Sequence, residues 1–174
     1  ADLVAKFGPL REPGSVHVVD VQQVADLHFV AARAARRAAD LITLKYRETG
    51  RAVKLGLGPG RATLEFCREL APMLRADRHP PKVDLFAITA SCPPDRPEVA
   101  PVSFFNLFDR IADKCLGLFA ENAVPCSDYS TILKRKGVKE AYERRHEIDI
   151  IVTATGDFQD PHDLLRNFLD GTHG

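Results

Sequence analysis

The run Gly56-Leu57-Gly58-Pro59-Gly60-Arg61-Ala62-Thr63 carries the sharpest chemical signal in the chain. Glycines at alternate positions permit a tight turn and let an anion reach backbone N–H groups with no Cβ in the way. A helix opening at Arg61 adds the positive end of its dipole and its unsatisfied first-turn donors. Arg61 brings a charged fork and Thr63 a hydroxyl, while Pro59 removes one donor and stiffens the loop. Such a turn suits the capture of a phosphate or another polar head group. The spacing is neither the dinucleotide G-x-G-x-x-G nor a P-loop with its lysine. A strand-to-helix turn with no ligand has the same composition.

The remaining polar candidates are few. Thr89-Ala90-Ser91-Cys92 ends a predicted strand, and the hydroxyls of Thr89 and Ser91 suit contact with a sugar, although turn capping explains them equally. Cys92 as a nucleophile lacks an activating histidine in a neighbouring strand-end loop before His162. Asn106 follows the helix start Ser103-Phe104-Phe105 and is expected to point into the same crevice, with the phenylalanines in the core. Thr155, Gly156 and Asp157 combine a flexible turn with a carboxylate that accepts hydroxyl hydrogen bonds or caps the next helix. Asp128 is the other carboxylate that the fold could bring to this edge. Lys134, Arg135, Lys136 and Lys139 read as a solvated face or as a lid closing over a phosphate. No Ser–His–Asp order, paired-carboxylate arrangement or H-E-x-x-H motif marks catalysis, so no catalytic residue is assigned.

The elements that must position these residues follow from hydrophobic periodicity. Val16–Val21 reads as a strand, and Val24, Leu27, Ala31, Ala34, Ala38 and Leu41 form the stripe of a long helix stopped by Gly50. Arg33, Arg36, Arg37 and Asp40 fall largely off that stripe, as a solvated face would. Strand Ala52–Leu57 leads through the glycine turn into a helix from Arg61 to about Arg75, with Leu64, Cys67, Ala71 and Leu74 inward. Further on come strand Val83–Thr89, a Pro-rich loop Ala90–Val102, helix Ser103–Cys115 and strand Leu116–Ala120. Two short helices are expected within Asp128–Glu147, then strand Ile148–Thr153 and a final helix Pro161–Leu169. Apolar strands alternating with amphipathic helices imply an α/β fold, a three-layer α/β/α open and mostly parallel sheet of about five strands. Ligands of such sheets bind at the carboxyl ends of the strands. Those ends carry the loops Gly56–Arg61, Thr89–Val102, Glu121–Asp128 and Ala154–Asp160, which is where the candidates lie.

Composition narrows the class. Lys plus Arg and Asp plus Glu each number 24, so no global basic field draws the chain to nucleic acid. Every apolar stretch is broken well short of the roughly 18–20 residues of a membrane span, and Ala1–Gly14 has no continuous apolar core of a signal peptide. The cysteines Cys67, Cys92, Cys115 and Cys126 are expected to be free thiols, Cys67 and Cys115 at core-facing positions and Cys92 and Cys126 in strand-end loops that could approach one another. No C-x-x-C or His–Cys cluster suggests a metal, and no cofactor is implied.

The pattern resembles the effector-binding domain of SorC/DeoR-type bacterial transcriptional regulators. The matching stretches are Leu10–Val21 leading into Phe29–Tyr46, Val53–Leu70 with Gly56-x-Gly58-x-Gly60-Arg61, Ser103–Ala120, and Ala141–Thr155 with Gly156 closing the match. The resemblance implies a ribose-phosphate-isomerase and CoA-transferase-like fold. It also implies a cytoplasmic, oligomeric module that senses a sugar or sugar phosphate for an attached domain, and a phosphate seat at Gly56, Gly58, Gly60 and Arg61. Family members commonly carry Thr or Ser directly after the arginine; here Ala62 stands there and Thr63 follows. The N-terminal helix-turn-helix and the C-terminal part of the usual domain have no counterpart in these residues. Residues 1–174 are therefore read as one effector-type domain with an extension at 1–14, binding a small sugar phosphate and making no nucleic-acid contact of its own. The alternatives are a sugar-phosphate isomerase or lactonase with Asp128 or Asp157 as base, and a ligand-free interaction domain.

Overall fold

The structure, a computed structural model, describes residues 19, 26–88, 97–116, 134, 139–140 and 143–154. Helix α1 (Leu27–Thr49) is followed by β1 (Val53–Leu57), α2 (Arg61–Arg75) and β2 (Val83–Ala87). Two 3₁₀ segments, Pro97–Val99 and Pro101–Phe108, lead into β3 (Ala112–Leu116). A 3₁₀ turn at Arg144–Glu147 precedes β4 (Ile150–Val152). The strands form one all-parallel sheet in the order β3-β2-β1-β4, flanked by helices, the α/β arrangement the sequence implies. Four strands are described rather than about five, because Val16–Val21, apart from Val19, lies outside the described residues. So do the final helix Pro161–Leu169 and the loop residues Cys92 and Cys126.

Hydrophobic packing explains where α1 and α2 lie. Val53, Leu55 and Leu57 of β1 join Val83 and Leu85 of β2 on one sheet face, against Ala31, Ala35, Ala38 and Ile42 of α1 and Phe66, Cys67, Leu70 and Leu74 of α2. Alanines on the buried side of α1 let it approach α2 closely. The expected α1 stripe is corrected by one step: Ala34 and Leu41 are exposed, and Ala35 and Ile42 are buried in their place. An alanine-rich helix satisfies three- and four-residue steps equally well in sequence, and the bulk of Ile42 decides which side turns inward. Gly50 ends α1 with φ 66°, its N–H donating to Tyr46 O at 2.8 Å. Pro72 lies inside α2 at an exposed position, where the carbonyl left without its helical donor is open to solvent.

A second correction concerns residues 101–116. The expected helix Ser103–Cys115 is a 3₁₀ segment that stops at Phe108, and the strand begins at Ala112 rather than Leu116. Arg110 stands between them at φ 73°, a left-handed conformation that no helix continues through. Among the described residues β3 is an edge strand, and its central residues Asp113, Lys114 and Cys115 are all exposed, so it lacks the apolar run that marks a buried strand. Cys115 is accordingly exposed, not core-facing as its spacing suggested, whereas Cys67 is fully buried. Among the described residues no helix is long and apolar enough to cross a membrane, and no cluster of His, Cys, Asp and Glu could hold a metal ion.

Candidate functional site

Strand order β3-β2-β1-β4 sends the chain one way from β1 through β2 and β3, then back across to β4 on the other side. The crevice of such a sheet opens at the carboxyl ends of the two strands flanking that reversal, here β1 and β4. The glycine turn leaves β1 at this point, so topology puts the motif where open α/β sheets bind ligands.

Each glycine there has its own structural reason. A Cβ on Gly56 would come within 2.9 Å of Ile88 Cγ2 and 3.1 Å of Ile148 Cγ2, so its bare backbone makes room for isoleucine side chains that adjoin the two neighbouring strands. Gly58 is buried against β4: its N–H donates to Val152 O at 2.8 Å, and a Cβ would stand 2.5 Å from Thr153 Oγ1 and 3.2 Å from Thr153 Cα. Gly60 meets nothing within 4 Å but holds φ 115° and ψ 161°, a region open essentially to glycine alone. Its N–H donates to Val99 O at 3.0 Å, tying the turn to the 3₁₀ segment that follows β2. The amides of Gly58 and Gly60 are thus engaged within the protein.

The donors without an intrahelical partner follow directly after Gly60. α2 starts with no side-chain cap, and its first backbone bond runs from Leu64 N–H to Gly60 O at 3.0 Å. Helix geometry then leaves the N–H groups of Arg61, Ala62 and Thr63 without an intrahelical acceptor. No acidic residue stands in this first turn to offset the dipole, and the Arg61 side chain is exposed. Thr63 is buried at 2% exposure, and its hydroxyl donates back to Pro59 O at 3.4 Å, so its side chain braces the turn.

The alignment of β1 with β4 that brings Gly58 to Thr153 is fixed at the opposite edge by charge. Asp149, just before β4, accepts from the Lys54 backbone N–H at 2.9 Å, and its own N–H donates to Lys54 O at 2.9 Å. Lys45 from α1 and Arg51 reach the same carboxylate at 2.9 and 3.2 Å. Burial works against ionisation of Asp149, yet the Lys54 amide, Lys45 and Arg51 outweigh it and hold the carboxyl below its ordinary range. Beside it, hydrogen bonds from Arg144 and then Lys54 bring Glu147 down to about 2. Arg144 also lies over the Phe86 ring, 5.6 Å from its centroid, pinning this turn to the second sheet face.

Asn106 is not brought to the glycine turn. Its neighbour Leu107 accepts a hydrogen bond from Arg75, in the last turn of α2, at 2.6 Å. That end of α2 is roughly 20 Å from its start at a rise of about 1.5 Å per residue. Asn106 instead lines an open groove of about 820 Å³ with Ser103, Phe105, Arg110 and Cys115. Thr89, Ser91, Asp128, Gly156 and Asp157 lie outside the described residues, as do Thr155, Arg135 and Lys136 of the expected lid and fourth loop. Two residues went unremarked in sequence. Thr153 stands exposed at the switch point beside Gly58, marked only by being the first hydroxyl after an apolar strand. Asp84 is buried in β2, its Oδ1 without a hydrogen-bond partner among the described residues, and a lone carboxylate inside an apolar run was its signal.

The fold resembles that of a DeoR family transcriptional regulator from Listeria monocytogenes. The likeness covers 90% of this chain at a TM-score of 0.57 and 13% sequence identity, and so concerns the fold. The chain spans 60% of that regulator's length. No protein-family model matches the sequence, and no match was found among curated proteins.

Proposed function

We propose that this chain is a ligand-sensing module of the regulator type, which takes the anionic group of a sugar phosphate or a similar phosphorylated metabolite at the start of α2. The observation that carries the reading is the uncapped, acid-free first turn at Arg61–Thr63, set beside the switch point of a parallel sheet. Three first-turn backbone N–H groups and the positive helix end would serve an anion there, with the exposed Arg61 side chain beside them. Gly56, Gly58 and Gly60 shape this seat, and the Thr63 hydroxyl holds its inner wall. The hydroxyl-bearing part of the ligand extends along the carboxyl edge toward Thr153 and the loops bearing Thr89, Ser91, Asp128, Gly156 and Asp157. The likeness to a transcriptional regulator supports a sensing role, exerted on an attached or partner domain when the ligand prefers one of two conformations.

Thermal unfolding in the presence of inorganic phosphate and a panel of sugar phosphates tests the proposal. Phosphorylated sugars are expected to raise the melting temperature with rising concentration, since a ligand of the folded state stabilises it by mass action. Arg61→Ala should leave the unliganded melting temperature unchanged, because the side chain is exposed, and should weaken the ligand-induced shift. The reading is lost if no phosphorylated compound shifts the wild-type transition, or if Arg61→Ala responds as strongly as wild type.

A further inference from the structure

Helix α1 carries three of the four large apolar side chains that stand exposed among the described residues: Phe29 at 56%, Leu41 at 40% and Leu44 at 55%. Since residues advance about 100° around a helix axis, Ala31, Ala35, Ala38 and Ile42 point to the core. The side directly opposite presents Phe29, Arg33, Arg36, Arg37, Asp40 and Leu44, all exposed. Arg33, Arg36, Arg37 and Asp40 enter no ion pair with the described residues. A monomer has no evident use for two large apolar residues, and for charges unpaired among the described residues, along the outermost line of the longest described helix.

The order of these residues is self-complementary. The midpoint between Arg36 and Arg37 is equally far along the helix from Phe29 and Leu44, and again from Arg33 and Asp40. A two-fold axis lying just outside that midpoint, perpendicular to the helix and in the plane of its outer face, lays a second α1 antiparallel across the first. Such an axis sets residues equally far on either side of the midpoint opposite one another. Phe29 then meets Leu44 of the second copy, and Arg33 meets Asp40 of the second copy, each contact occurring twice by symmetry. Arg36 and Arg37 fall on opposite flanks of the seam, where long stems carry their charges out to water. Beside Leu44 a groove of about 490 Å³, bounded by Thr43 and Met73, leaves room for the incoming Phe29 ring.

We infer that the outer face of α1 is a homodimer interface in which two copies pack antiparallel about the Arg36–Arg37 midpoint. The inference stands on a different surface from the ligand seat and holds whether or not that seat is occupied. One helix per copy, roughly 35 Å long, gives an interface at the small end of specific contacts, so the dimer forms and dissociates with concentration. Added salt weakens it through the Arg33–Asp40 pairs.

Sedimentation of the 174-residue chain across a concentration series is the direct test. Wild type should pass from monomer to dimer. Arg33→Asp sets Asp against Asp40, and Asp40→Arg sets Arg against Arg33, so either variant alone should dimerise on the order of tenfold more weakly. Because both positions are exposed, each variant should keep the wild-type melting curve at low concentration. An equimolar mixture of the two variants recreates both oppositely charged pairs, but only in the heterodimer, and should recover wild-type association. A wild-type chain that stays monomeric throughout, whatever else comes to cover the helix, overturns the inference. So do single variants that associate like wild type, and so does a mixture that associates no better than its components.

Discussion

Gly60 adopts a backbone conformation that a side chain tolerates poorly, with φ 115° and ψ 161°, although nothing lies within 4 Å of where its Cβ would be. Gly58 is the reverse case, limited by space: its missing Cβ makes room for Thr153. Gly60→Ala should therefore cost on the order of 1–3 kcal/mol of stability through strain alone, read as a lowered urea midpoint that no neighbouring substitution repairs. Gly58→Ala should also destabilise, but Thr153→Gly in the same chain should recover part of the loss. If the second substitution recovered nothing for Gly58→Ala, crowding by Thr153 would not be the reason glycine stands there. Thiol chemistry separates two further residues. Burial pushes the Cys67 thiol up to about 12, while Cys115 is exposed, its thiol also raised, by partial burial and then by the Asp84 charge. Peptide mapping after brief alkylation of the folded protein should find Cys115 modified and Cys67 untouched, with Cys67 reacting only after unfolding.

The elements are held in register by charge as well as by the core, which gives the fold an acid-sensitive hinge point at the start of β4. Folded-state values of Glu147 and Asp149 lie below their ordinary ones, Glu147 at about 2. Groups depressed in this way stabilise the fold fully above their unfolded-state pKa, and that contribution disappears as pH falls through the folded-state value. The urea midpoint should accordingly decline between about pH 4.5 and about pH 2, and Asp149→Asn should flatten part of that decline while lowering the midpoint at neutral pH. An equally steep decline in Asp149→Asn would place the acid sensitivity elsewhere. Legibility in the sequence also varied by element. β1 and α2 were readable nearly to the residue, because Val53, Leu55 and Leu57 are apolar and buried, and Arg61–Arg75 has an unbroken inward stripe. β3 was not, since an edge strand exposed on both faces needs no apolar run, and Phe104 and Phe108 imitate a longer helix at four-residue spacing. For the candidate site, the glycine turn and its place on the sheet followed from residue type and order. Which amides stay free did not follow, because it depends on Val152 and Val99, far away in sequence, accepting from Gly58 and Gly60.

At the scale of the whole molecule, stability should be graded across the sheet, with the interior strands closing first and the edges open to exchange. β2 is buried along its whole length and β1 at all but Lys54, while β3 and β4 expose their central residues. Amide hydrogen exchange should therefore be slowest at Leu55, Leu57, Leu85 and Ala87 and markedly faster at Lys114 and Ile151, since local opening tracks exposure and the number of neighbouring strands. The β3 edge also has a built-in guard against pairing with itself. An antiparallel two-fold centred on the strand sets Lys114 against Lys114 of the second copy, and a shift of one residue sets Asp113 against Asp113, so like charges meet in either case. Association through α1 leaves this edge untouched. Exchange at Lys114 should hence stay the same when protein concentration is raised across the dimer transition, while amides along the outer face of α1 slow down. Slowing at Lys114 with concentration, and none along α1, would mean that copies meet edge to edge despite the repulsion, and that the sheet rather than the helix joins them.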